Sequence, residues 1–150
     1  PMPLNTLLWR EVAMAPGGYV EGFRSLVADH GPMPFTFHPS DTTALHAANQ
    51  VPAVQRLNWF THGFVGARVV DGTLVLDDLR MGNAPEYFFS FAVAKRQGSG
   101  WVAIPVTSVR SPPRAIGAQW TAVWQRIWTP PPDQAATGKS GATPAASASK

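Results

Sequence analysis

Four histidines, His30, His38, His46 and His62, are the side chains that could bind a metal ion or move a proton near neutral pH. None belongs to an HExxH motif, and no two of them are one helical turn apart. His38, Asp41 and His46 could form a metal site only if the loop that carries them folded back. That arrangement would give the chain a catalytic metal site of its own. His62 stands at the end of a predicted helix, where we expect it to cap the helix or interact with its dipole.

The acidic and hydroxyl residues do not complete a catalytic constellation. Asp77 and Asp78 are adjacent, and neighbouring side chains on a strand point to opposite faces, so they are not a catalytic pair. Gly17-Gly18 lacks the GxxxxGK[ST] frame of a phosphate-binding loop. The absence of cysteine excludes disulfides, thiolate catalysis and thiolate metal sites. We therefore predict no catalytic residue, metal site or cofactor in this chain.

Charged residues on predicted strands could instead form a polar cluster. Asp78 and Arg80 continue the apolar face of a predicted hairpin, where charges need partners. A structural ion pair between them is one interpretation, and a binding site at the mouth of the core is the other. Arg10 and Glu21 would be near neighbours across a second hairpin if its loop has an even length. The whole predicted cluster is Arg10, Glu21, Arg56, Trp59, His62, Asp78 and Arg80, with Trp59 as an aromatic wall.

The composition limits the class of partner. The chain has 150 residues, of which 45% are hydrophobic, enough for a globular domain. The net charge of +3 comes from scattered basic residues that form no phosphate-tracking patch, so nucleic-acid binding is disfavoured. No uncharged apolar run approaches the roughly 18 residues that a membrane span needs, and no signal peptide is visible. The opening Pro1-Met2-Pro3 is typical of an excised domain.

A predicted hairpin around Asp71-Gly72 is the main element that positions the cluster. Asp-Gly is a pair typical of a type I′ turn. A two-residue loop pairs Val70 with Thr73 and Val65 with Asp78. The core face then holds Val65, Ala67, Val69, Leu74 and Leu76. Further strands are predicted over 4–14, 19–26, 87–95 and 101–109, with a loop over 29–40. Pro105 cannot donate to a ladder, so it predicts an edge strand or a bulge.

Three helices are predicted. Ser40 or Asp41 caps a short helix that runs to about residue 49, and Pro52 opens a second over 53–62, with Gly63 at its C′ position. The third helix, over 114–128, carries an apolar stripe that we expect to pack on the sheet rather than lie in a membrane interface. The stripe consists of Ile116, Trp120, Val123, Trp124, Ile127 and Trp128.

These elements predict the α+β class: a mostly antiparallel sheet built from hairpins, packed by the amphipathic C-terminal helix and two short helices. We expect one soluble domain over 1–128. Residues 129–150 are rich in proline, alanine and serine and are expected to form a disordered tail.

Four segments in series resemble the C-terminal region of the bacterial inner-membrane family called membrane-bound metal-dependent hydrolases. They are 3–10 (PLNTLLWR), 18–22 (GYVEG), 54–64 (VQRLNWFTHGF) and 78–82 (DLRMG). The resemblance covers about residues 3–95. It implies a parent protein in the bacterial inner membrane whose N-terminal, multi-spanning region carries the His- and Asp-containing motifs and any divalent metal.

Two interpretations follow from this resemblance and from the polar cluster. In the first, the chain is a soluble accessory domain of such a membrane-bound hydrolase, has no complete active site, and has the membrane-spanning region as its partner. In the second, it is a ligand- or partner-binding module with an arginine-lined polar pocket for an anionic group.

Overall fold

The computed structural model describes residues 6–109 and 116–132, and for 116–120 it describes the backbone alone. These residues form an α+β structure in which the paired strands are antiparallel, which confirms the predicted class. The strands are β1 (Leu8–Ala15), β2 (Gly18–Ser25), β3 (Phe35–Pro39), β4 (Val65–Val70), β5 (Thr73–Asp78), β6 (Gly82–Asn83), β7 (Glu86–Tyr87), β8 (Ser90–Gln97) and β9 (Gly100–Ser108). The helices are α1 (Thr42–Ala47), α2 (Pro52–Phe60) and α3 (Ile116–Trp128).

The chain divides into two compact units. Among the described residues, the first unit comprises 6–10, 23–33 and 116–132, and the second comprises 11–22 and 34–109. The single domain over 1–128 stays a prediction, and most of the predicted tail, from residue 133 onward, lies outside the described residues.

The central hairpin of the second unit has the predicted register. Val70 pairs with Thr73 and Val65 with Asp78, across a loop of Asp71 and Gly72. Both loop residues have positive φ, at 48° and 71°, as a type I′ turn requires. The register places Asp77 and Asp78 on opposite faces of β5, as the side-chain alternation of a strand predicts.

The core of the second unit lies on one face of a four-stranded sheet of order β4-β5-β8-β9. Helices α1 and α2 cover that face. Most of the predicted core face is buried, while Val69 is partly buried. The buried cluster consists of Ala44, Ala48, Val51, Val54, Val65, Ala67, Leu74, Leu76, Val93 and Ala94. A smaller cluster of Tyr19, Leu79 and Tyr87 lies beside Gly66, on the opposite face of the hairpin.

Two strand predictions were wrong. Residues 29–40 are not all loop, because β3 pairs with β2 from Gly18↔Pro39 to Gly22↔Phe35. The prolines around β3 suggested a loop, but β3 is the last strand of the order β1-β2-β3, and an edge strand tolerates a missing N–H. The strand predicted over 87–95 is two strands, because β7 pairs with β6 whereas β8 pairs with β5 and β9.

The two helices of the second unit begin as predicted. Asp41 is the N-cap of α1, where its Oδ1 accepts the Ala44 N–H at 2.8 Å, and Pro52 opens α2. The end of α2 differs by one residue from the prediction. Its C-cap is Thr61, so His62 with φ 54° occupies the C′ position assigned to Gly63. Bonds from His62 N–H to the Trp59 carbonyl and from Gly63 N–H to the Asn58 carbonyl complete a Schellman motif.

Strand β9 is the edge of its sheet and also bulges, so both alternatives predicted from Pro105 hold. Ala92 pairs with Thr107, but Ala94 pairs with Ala103, so three residues of β9 oppose one of β8. Pro105 lies within that irregular segment. Proline has no backbone N–H to donate, and Pro105 therefore lies where the hydrogen-bond ladder between β8 and β9 is already interrupted.

In the first unit, α3 is held at its C-terminal end. Ser25 Oγ donates to the Ile127 carbonyl at 2.5 Å, and Ile127 is buried. Arg126 pairs with Asp29 and also donates to the Phe23 carbonyl at 3.1 Å. Trp124 and Trp128 are more than half exposed, so the predicted apolar stripe is only partly buried. Packing of this helix on the sheet stays a prediction. No helix in the described parts of the chain is long and apolar enough to cross a bilayer.

Candidate functional site

A cavity of about 190 Å³ opens in the second unit between the β2–β3 pair and the central hairpin. Tyr19 on β2 and His38 on β3 are cross-strand partners at this point. The hairpin contributes residues from both of its strands, and the segment after β6 contributes two more. The cavity is lined by Tyr19, His38, Pro39, Gly66, Ala67, Arg68, Asp77, Ala84, Pro85 and Tyr87.

One side of the cavity is the tyrosine–histidine wall, formed by Tyr19, His38 and Tyr87. The rings of Tyr19 and His38 stack with centroids 5.2 Å apart and planes inclined by 24°. Tyr87 meets Tyr19 edge to face, and its hydroxyl donates to the Tyr19 hydroxyl at 2.7 Å. The wall therefore offers flat apolar surface with polar atoms at its rim, which suits a ring that also carries a polar group.

Glu21 stands behind this wall. It is buried, and its Oε2 lies 3.6 Å from His38 Nε2 and accepts the Ala84 N–H at 3.3 Å. The separation from His38 is too long for a good hydrogen bond, so the attraction is electrostatic and depends on protonation of the imidazole. The contact places a buried carboxylate beside an imidazole that lines the cavity.

An arginine–carboxylate pair on the hairpin forms another part of the lining. Arg68 Nε donates to Asp77 Oδ2 at 3.1 Å, and Arg68 Nη2 to Asp77 Oδ1 at 3.4 Å. The Asp77 side chain is 10% exposed and the Arg68 side chain 43%. Since a guanidinium has five N–H donors, this pair holds Arg68 in place while using two of them.

Gly66 keeps the space beside these parts of the lining open. A Cβ atom placed on Gly66 would lie 3.1 Å from Leu79 Cδ2 and 3.7 Å from Tyr19 Cε1. A side chain there would press against Leu79 and reach Tyr19. The site therefore depends on the small size of Gly66 as well as on the aromatic and charged side chains that line the cavity.

The predicted ion pair between Asp78 and Arg80 is present. Arg80 Nη2 donates to Asp78 Oδ2 at 2.8 Å, and Arg80 Nε donates to Asp78 Oδ1 at 3.0 Å. Burial raises the pKa of the Asp78 carboxyl, but hydrogen bonds from the Arg80 side chain and backbone and its positive charge outweigh that effect and hold the pKa below 3.8. The Arg80 guanidinium also lies 4.7 Å from the centre of the Phe60 ring. These contacts favour the structural interpretation of the pair.

The other residues of the predicted cluster differ in their surroundings. Glu21 contacts His38 and Ala84, two residues that line the cavity. Arg56, Trp59 and His62 are exposed on and just after α2, and Arg10 belongs to the other unit, so its pairing with Glu21 stays a prediction. Trp59 forms no wall of the cavity, because at 76% exposure it is directed to solvent.

The alternative metal site at His38, Asp41 and His46 is not supported. Asp41 uses its Oδ1 as the helix cap of α1, and His38 stacks on Tyr19. Within 6–109 and 116–132, no three histidine or acidic side chains converge in a way that could hold a metal ion.

Sequence reasoning missed Tyr19, Arg68 and Tyr87 as site residues and considered His38 only as a metal ligand. His38 could not be placed because β3 was predicted as loop, although FTFHP alternates in the manner of a strand. The predicted core face of the hairpin leaves Arg68 on the other face, but nothing local indicated that residues of β2 and β3 would line a cavity with it. The GYVEG segment, with Tyr19 and Glu21 on one face, was the available signal.

Comparison of the chain with protein-family models, with curated proteins and with solved structures gave no match. The resemblance to membrane-bound hydrolases therefore stays an expectation from the sequence. The geometry of the cavity is the firmest basis for a function.

Proposed function

We propose that this chain is a binding module and that the cavity of the second unit holds a small ligand with a flat body and one anionic group. One observation carries the proposal: the tyrosine–histidine wall lines the same cavity as Arg68, which Asp77 holds by two hydrogen bonds. A flat apolar group stacked on the wall would bring its carboxylate or phosphate toward a guanidinium, a group that binds such anions through paired donors.

The size of the cavity limits the ligand. Sites for drug-sized molecules occupy roughly 300–1,000 Å³, whereas this cavity has about 190 Å³. That volume suits one ring with a single acidic substituent rather than a nucleotide. Asp77 beside Arg68 also disfavours a multiply charged ligand, because part of the positive charge is already neutralised.

Benzoate and its uncharged analogue benzamide test the proposal. We expect benzoate to shift the NMR signals of Tyr19 and His38, and benzamide to bind at least about tenfold more weakly, because a hydrogen bond to a charged group is worth roughly 1.5–3 kcal/mol. Arg68→Gln should weaken benzoate binding to a similar extent.

Arg96→Gln is the matched control, since Arg96 is an exposed arginine of the same unit that contacts Trp101 and does not line the cavity. Thermal unfolding of both variants establishes that they remain folded. Benzoate binding that is equal in wild type and Arg68→Gln would contradict the proposed role of the cavity.

A second candidate function is that of an accessory domain in a membrane-bound metal-dependent hydrolase, with the metal and the catalytic residues in a membrane-spanning region of the parent. The contact between Arg80 and Phe60 favours it. This contact joins two of the segments that carry the resemblance, 54–64 and 78–82. The coding sequence upstream of this chain should then specify several membrane spans with histidine and aspartate motifs. An upstream sequence without such spans would rule this candidate out.

A further inference from the structure

One side chain of the cavity can change its charge near neutral pH. His38 on β3 lines the cavity, and its side chain is 27% exposed, so it can exchange protons with solvent. Histidine is the side chain whose charge ordinarily changes between about pH 5 and 8. The charge of the cavity can therefore change within the physiological range of pH.

The charged groups near His38 come from three other strands. Glu21 on β2 lies behind it, with Oε2 3.6 Å from His38 Nε2, and the Glu21 side chain is 4% exposed. Arg68 on β4 and Asp77 on β5 line the cavity and pair with each other. The two tyrosines of the lining, on β2 and β7, stay uncharged over this range of pH. We call Glu21, His38, Arg68 and Asp77 the cavity charge group.

The cavity charge group opposes an anion while its imidazole is neutral. Arg68 then faces the two carboxylates of Glu21 and Asp77, so the group has a net charge of −1. The described residues of the second unit have the same sign, since seven acidic and five basic residues give them −2 with histidine neutral. Protonation of His38 brings the net charge of the group to zero and removes that repulsion.

The cavity is small enough for an anion inside it to respond to this change. A sphere of about 190 Å³ is about 7 Å across, less than the Debye length of about 8 Å at physiological ionic strength. Salt therefore screens an anion in the cavity only partly from His38. The anion favours the protonated imidazole, and the protonated imidazole favours the anion to the same extent, because the coupling of two binding events is reciprocal.

We propose that the cavity takes up a proton at His38 together with its anionic ligand, so that the ligand binds more tightly as the pH falls. Such a linkage rests on the proposed function, because it needs a ligand that brings negative charge to Arg68. It adds regulation by pH to that site, with His38 as the group that responds.

Isothermal titration calorimetry with benzoate tests the linkage, in pairs of buffers that differ in their heat of ionisation. Benzoate stays ionised from about pH 8 to about pH 5.5, as carboxylates do. We expect it to bind at least about fivefold more tightly at the lower pH, the effect of removing one net charge from a partly exposed site. Near neutral pH, a fraction of a proton should be taken up for each benzoate bound.

His38→Gln removes the titrating ring. This variant should bind benzoate more weakly, with an affinity that no longer depends on pH and without proton uptake. His46→Gln is the matched control, because His46 is an exposed histidine of α1 in the same unit and does not line the cavity. It should keep both the pH dependence and the proton uptake of the wild type.

An NMR titration of the histidine rings tests the linkage in the wild-type chain, without a substitution. Saturating benzoate should move the titration of His38 to higher pH and leave that of His46 unchanged. Thermal unfolding establishes that the two variants remain folded.

The outcomes separate the linkage from the proposed function. Benzoate that binds at no pH in this range would overturn both. Benzoate that binds with equal affinity at both ends of the range, without proton uptake and with an unmoved His38 titration, would leave the proposed function intact and overturn the linkage. Equal pH dependence in wild type and His38→Gln would also overturn it, because another group would then be responsible.

Discussion

At the scale of single residues, the ion pair of Asp78 and Arg80 shows how a charge can occupy a core face. The Asp78 side chain is 2% exposed, and both of its oxygens accept bonds from Arg80. A carboxylate in such a position is stable only because its partner satisfies it. The Arg80 side chain reaches the surface, at 35% exposure, so part of the pair remains hydrated.

Arg80→Ala should therefore destabilise the second unit by about 2 kcal/mol, less than the 3–5 kcal/mol expected when a fully buried pair is broken. The loss arises because Asp78 would remain buried without its guanidinium. Urea unfolding followed by circular dichroism measures the effect. Arg56→Ala is the control, because Arg56 is exposed on α2, and it should change the free energy of unfolding by less than about 0.5 kcal/mol. Equal effects of the two substitutions would disprove the structural role of Arg80.

At the scale of elements, the local signals predicted the central hairpin well. Asp71-Gly72 strongly favours a type I′ turn, and a two-residue loop then leaves a single register. The N-cap Asp41 and the first-turn Pro52 placed α1 and α2 in the same way. Each of these features is decided within a few residues, so sequence alone can specify it.

Strand β3 and the cavity could not be predicted in this way. A short edge strand between prolines is stabilised by pairing with β2, a tertiary contact that leaves little trace in its own composition. Without β3, His38 had no position. The predicted polar cluster assumed that the ends of the strands meet. In the structure, Tyr19 instead contacts Tyr87, which is 68 positions away, and a contact over that distance is not visible in the local sequence.

The pairing of β2 with β3 depends on Gly18. A Cβ atom there would lie 2.1 Å from the carbonyl oxygen of His38, a backbone atom that cannot rotate away. Gly18→Ala should push the two strands apart, disturb the Tyr19–His38 stack, and destabilise the second unit by about 2 kcal/mol. Gly98→Ala is the control for replacing a glycine by alanine, because Gly98 lies in the β8–β9 turn with open space around it. Its φ of 58° adds some backbone strain to that variant.

Thermal unfolding and the NMR signals of Tyr19 and His38 measure both effects of Gly18→Ala. Unchanged Tyr19 and His38 signals in that variant would show that the β2–β3 pairing tolerates a methyl group at this position.

At the scale of the whole molecule, each unit contains a buried aspartate paired with an arginine. In the first unit, burial raises the pKa of the Asp29 carboxyl, but bonds from Arg126 and the Ser25 backbone, together with the Arg126 and Arg24 charges, hold it below 3.8. Asp78 has the same relation to Arg80 in the second unit. A carboxyl whose pKa is lower when folded contributes stability that is complete above its unfolded pKa and is lost as the pH falls through the folded value.

We therefore expect the urea midpoint to be nearly constant from neutral pH to about pH 5 and to fall steadily below that. Asp29→Asn and Asp78→Asn should each lower the midpoint at neutral pH and flatten the acid decline, because the amide does not titrate. Asp71→Asn, in the exposed turn, should leave the decline unchanged. A wild-type midpoint that stays constant down to about pH 3 would contradict the assignment of acid sensitivity to these pairs.

The bulge at Pro105 has a consequence for how the molecule behaves in crowded solution. An unprotected outer strand is a template on which other chains can stack into fibrils. In β9 the ladder is broken where three residues face one, and the proline at that point has no hydrogen to offer an incoming strand. We therefore expect β9 to be a poor template for cross-β growth.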